Sequence, residues 1–78
     1  MLKYNLIKET DKTVLYKYFP EGESDSGVVA FDKQSGGCSI DTLAKNDRHK
    51  IYALKLFKRI REFASKGTFE KEGTVAWY

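Results

Sequence analysis

The chain has 78 residues, enough for one hydrophobic core and no more. Its 41% hydrophobic, 14% aromatic and 32% charged residues are the composition of a folded domain and exclude a disordered or low-complexity polymer. The net charge of +3 permits contact with a polyanion without requiring it, and the single cysteine excludes an intramolecular disulfide framework.

Residues 2–9 alternate Leu2, Tyr4 and Leu6 against Lys3, Asn5 and Ile7, the period of a half-buried strand. Thr10-Asp11-Lys12 reads as a hairpin loop, and the β-branched and aromatic run over residues 13–19 predicts a second strand that Pro20 ends. Residues 21–27 have loop composition, with acids at Glu21, Glu23 and Asp25. A short apolar strand follows over residues 28–32, then a turn carrying Gly36-Gly37, then a weaker strand over residues 38–42.

Asn46 or Asp47 is suited to cap a helix running from about residue 48 to residue 65, and Gly67 to stop it in a left-handed conformation. At about 100° per residue, His49, Tyr52, Ala53, Leu56, Phe57, Ile60, Phe63 and Ala64 form one broad stripe, predicted to face the sheet. Residues 73–78 have the composition of a final strand, which either joins the first strand at the sheet edge or plugs the core with Trp77. The order of elements predicts an α+β domain: a four-stranded antiparallel meander, one C-terminal amphipathic helix packed on one face, and a short last strand. No basic segment precedes an apolar one, and the longest apolar run is Val28-Val29-Ala30-Phe31. Neither a signal peptide nor a membrane helix is expected, and the chain reads as cytoplasmic.

No pattern of catalytic, cofactor-binding or metal-ligating residues emerges. Cys38 and His49 contain the elements of a thiolate and its base, but their surroundings suit a small packed thiol and a packing or capping histidine. One cysteine and one histidine fall short of a structural zinc site, and Glu21, Glu23 and Asp25 lack the frame of a calcium loop. Gly36-Gly37 is followed by neither the lysine nor the helix of a phosphate loop.

The C-terminal Gly73-Thr74-Val75-Ala76-Trp77-Tyr78 resembles the Gly-x-(Val/Ile)-Ala-Trp-Tyr ending of short uncharacterised bacterial proteins of about this length. That resemblance implies no activity and no residue role. In physical terms, Trp77 is a large apolar surface suited to anchoring the tail.

Binding is the remaining class. Half of the 14 basic residues fall between Arg48 and Lys66, with Glu62 as the only acid there. On the helix, Leu54 lies about 160° and Ile51 about 220° from Leu56, so both are predicted to point away from the sheet. Their neighbours are Lys50, Lys55, Lys58 and Arg61, which makes an apolar spot inside a basic rim. The expected function is therefore a non-catalytic, protein-binding or regulatory module, with an acidic protein or a second copy as partner. The alternative is a nucleic-acid-binding domain. It would use the basic helix, a stacking platform of Tyr4, Tyr16, Tyr18 and Phe31, or Lys3, Asn5 and Lys17 projecting from the sheet.

Overall fold

A computed structural model of the chain, describing residues 1–21 and 24–76, contains five strands and one helix. The strands are β1 (Leu2–Glu9), β2 (Thr13–Pro20), β3 (Gly27–Asp32), β4 (Cys38–Thr42) and β5 (Glu72–Val75). The helix, α1 (Ile51–Lys66), lies between the last two strands in sequence. Every strand pairing is antiparallel, in the order β4-β3-β2-β1-β5. The expected meander is present, and the tail takes the edge position beside β1, with Val75 opposite Leu2 and Gly73 opposite Tyr4. Trp77, Tyr78 and Glu23, which figured in the expectations for the tail and the acidic loop, lie outside the described residues.

The alternation in β1 and β2 divides the sheet cleanly. Leu2, Tyr4, Val14, Tyr16 and Tyr18 are buried on one face, together with Val29 and Phe31 of β3. Against them α1 sets Ala53, Leu56, Phe57, Ile60 and Phe63, so the apolar stripe at helical spacing does face the sheet. The helix packs across β1, β2, β3 and β5, leaving the opposite sheet face without a covering element among the described residues.

Three tyrosines fix the helix by both ends. At its start, the Tyr18 hydroxyl donates to Asp47 Oδ2 at 3.1 Å and accepts the Ala44 N–H at 3.1 Å. At its end, Tyr4 donates to Glu70 Oε1 at 3.1 Å and Tyr16 to the Glu70 carbonyl at 2.6 Å. Each phenol keeps its ring in the core and its hydroxyl satisfied, as a buried tyrosine must. The chain leaves α1 through Gly67 at φ 79, whose N–H reaches the carbonyls of Phe63 and Ala64. This is the expected left-handed stop.

The helix start differs from expectation. It begins at Ile51 rather than near Arg48, and Lys50 occupies the cap position in left-handed conformation, φ 61, with no side-chain cap of its own. The cap comes instead from Asp47, which is buried: Oδ1 accepts the Tyr52 N–H and Oδ2 the Ala53 N–H, both at 3.0 Å. A turn closed by Lys50 N–H to the Asp47 carbonyl puts the carboxylate three residues further back than an adjacent cap would be. His49 consequently precedes the helix and is exposed, so it is not part of the core stripe.

Candidate interaction surface

The outer face of α1 carries the apolar spot. Ile51 is 49% and Leu54 57% exposed, both far above the buried stripe behind them. They lie three residues apart and are therefore adjacent on the helix surface. Lys55 follows Ile51 by four residues and Lys58 follows Leu54 by four, so each aliphatic has a lysine one turn further along. Lys50, Lys55, Lys58 and Arg61 are all exposed. Arg61 and Lys58 continue into a shallow depression shared with Glu62, Ser65 and Lys66. A second depression at the other end of the helix borders Ile51 with Arg48 and His49. Glu21 pairs with the Met1 amine at 2.7 Å and Glu9 with Lys33 at 2.8 Å, so neither ion pair draws on a cation of this face.

Lys50, Ile51, Leu54, Lys55, Lys58 and Arg61 thus lie exposed on one side of the helix and its first turn. Cations outnumber acids on this side, because Glu62, one turn from Lys58, is the only acid on the helix.

The other groupings fare differently. Tyr4, Tyr16, Tyr18 and Phe31 do not form a stacking platform: each is at most 4% exposed, under the helix, where the tyrosine hydroxyls hold the connectors. Lys3, Asn5 and Lys17, in contrast, are exposed on the uncovered sheet face. Cys38 and His49 are not brought together. Cys38 is half-buried on β4 within reach of the charge of Arg61, which lies about 15 Å along the helix axis from Ile51, whereas His49 precedes the helix start. Burial raises the Cys38 thiol above its ordinary value, and the Arg61 charge offsets this only in part. Among the described residues, no group of three His, Cys, Asp or Glu side chains is placed to hold a metal ion. Glu21 pairs with the N-terminal amine.

Sequence reasoning missed the burial of Asp47 and the role of Glu70. Asp47 was recognisable as a cap by its residue type, but Glu70 acts through its backbone carbonyl as well as its side chain, for which residue identity is no guide. No helix among the described residues is long and apolar enough to cross a membrane. Compared with models of protein families, with curated proteins and with solved structures, the chain matches none.

Proposed function

We propose that the chain is a non-catalytic, cytoplasmic binding module that docks an acidic protein partner on the outer face of α1. The observation carrying this reading is the exposure of Ile51 and Leu54 side by side within the rim of Lys50, Lys55, Lys58 and Arg61. Two branched aliphatics supply an apolar centre, and the surrounding cations steer an anionic surface towards it. Self-association through the same patch is less favourable, because a two-fold contact brings the basic rim of one copy against the basic rim of the other. A cytoplasmic setting suits a chain whose one cysteine is free.

The test is capture from an extract, with and without nuclease treatment, by the wild-type protein and by the Ile51→Glu/Leu54→Glu double variant. A protein partner retained by the wild type and lost by a variant with an unchanged circular dichroism spectrum supports the reading. Equal retention by both, or loss of all partners on nuclease treatment, overturns it.

A further inference from the structure

We infer that the uncovered face of the sheet binds single-stranded nucleic acid, with phosphates along a row of lysines on β1 and β2 and bases against the apolar row beside it. This inference is independent of the helix patch and uses none of its residues.

The strand registers define the face. Lys3 pairs with Phe19, Asn5 with Lys17, and Lys8 with Leu15. Lys17 then continues to Val28, and Leu15 to Ala30. The irregularity between Leu6 and Lys8 in β1 allows Lys8 to join this face, because strict alternation from Lys3 and Asn5 would have turned it towards the helix. Lys3, Lys8 and Lys17 are exposed, and Lys12 adds a fourth cation where Lys8, Lys12, Thr13 and Leu15 line a shallow concavity. From Lys3 to Lys8 the row runs about 16 Å. Next to it, Leu15, Phe19, Val28 and Ala30 are all half-buried, and none belongs to the helix-side core. Phe19 presents an aromatic surface with the Lys17 ammonium 5.6 Å from its ring centroid.

The distribution of charge selects the occupant. The lysines run along β1 and β2, and the acids of this face stand to either side of them: Glu72 opposite Asn5 on the edge strand β5, and Asp32 opposite Thr13 at the end of β3. An acidic amphipathic helix carries carboxylates on both sides of its apolar stripe and would set them against those acids. A nucleic-acid strand carries its charge in one line and flat apolar bases to one side of it. Its base edges also offer N–H donors, which suit Ser39, Thr42 and the marginal carboxylates better than any anion does. A charged row with an adjacent aromatic and aliphatic surface is the arrangement by which small sheets hold single strands without strict sequence preference.

The test is fluorescence anisotropy with labelled mixed-sequence 12-mers of DNA and of RNA, single-stranded and duplex, at ~50 mM salt. The expected result is preference for single strands by about tenfold or more, with a log-log salt slope near −2, about −0.7 for each of three phosphates. Lys3→Gln/Lys8→Gln/Lys17→Gln should flatten that slope. Phe19→Leu should weaken binding about tenfold while leaving the slope unchanged, because it removes stacking and no charge. The DNA and RNA arms show which sugar is preferred, and binding of either supports the inference. Failure of all oligonucleotides to bind overturns it, as does equal affinity for duplex, indifference to Phe19→Leu, or displacement by an acidic peptide at lower concentration than by a single strand. Loss of binding on Lys55→Gln/Lys58→Gln/Arg61→Gln, with the sheet variants unaffected, also overturns it by moving the site to the helix.

Discussion

Tyr18 and Gly27 face each other across the β2–β3 ladder, and the Tyr18 ring fills the space where a side chain on Gly27 would begin. A Cβ on Gly27 would lie 2.6 Å from Tyr18 Cζ and 2.5 Å from the Thr42 carbonyl oxygen. The same arrangement recurs between Gly73 of β5 and Tyr4, whose hydroxyl would lie 2.5 Å from an added Cβ. Glycines opposite these tyrosines let the rings lie over the neighbouring strand and still reach their hydrogen-bond partners.

Gly27→Ala should therefore destabilise the domain by about 1–3 kcal/mol, the usual cost of overpacking a filled site. Gly73→Ala should cost less, because the obstructing atoms belong to a side chain rather than to the backbone. Urea denaturation of the two variants measures the difference.

Asp47 is the polar group on which most depends. Replacing it with Ala removes the acceptor for two helix N–H groups and for the Tyr18 hydroxyl, all at a buried site. A loss of about 2–4 kcal/mol is expected from the missing cap and the stranded donors. A urea midpoint close to wild type would show that water or a shifted backbone replaces the carboxylate.

The buried phenols set an alkaline limit on stability. Burial, reinforced by the hydrogen bond and charge of Glu70, raises Tyr4 from 10.0 to about 12. Burial also raises Tyr16, with the neighbouring Tyr4 adding to it, and raises Tyr18 against the opposing Ala44 hydrogen bond. A folded-state pKa above the unfolded one favours the fold while the phenol stays neutral. That stabilisation is whole below pH 10 and is lost as the pH climbs through the folded values. Tyrosinate absorbance and circular dichroism followed together should show these phenols ionising as the protein unfolds. Full ionisation of all tyrosines near pH 10 with the fold intact would contradict the burial.

Lys50 holds φ 61, a conformation that costs a residue with a Cβ about 1 kcal/mol. Lys50→Gly should raise stability by about 0.5–1 kcal/mol in thermal or urea unfolding, since glycine adopts that conformation freely. It should also weaken docking on the helix patch, from which it removes a cation. A stabilised variant with unchanged partner affinity would leave Lys50 outside the contact.

The parts legible in the sequence are those set by local periodicity. The stripe of Ala53, Leu56, Phe57, Ile60 and Phe63 follows from 3.6-residue spacing, and the exposure of Ile51 and Leu54 follows from the same phase. The helix start was not legible, because Asp47 reaches the first turn across a turn of chain instead of from the adjacent position. The aromatic platform was misplaced for a different reason. Alternation in β2 separates Val14, Tyr16 and Tyr18 from Leu15, Lys17 and Phe19, but both sets are largely apolar. Nothing local says which set the helix covers. Only Lys17 favours the outcome observed, and Lys8 reaches the open face through an irregularity that no residue type announces.

The pairing of Leu2 with Val75 has a consequence for how the domain is made. The β1–β4 meander closes through short hairpins and turns, so it forms from contacts local in sequence and forms early. β5 docks only after the chain has run through α1, which makes the β1–β5 seam the contact with the largest loop to close. Until it closes, the edge of β1 offers unpaired N–H and C=O groups to any extended segment nearby. The stage most exposed to aggregation or strand exchange is therefore the one in which β5 has not yet docked.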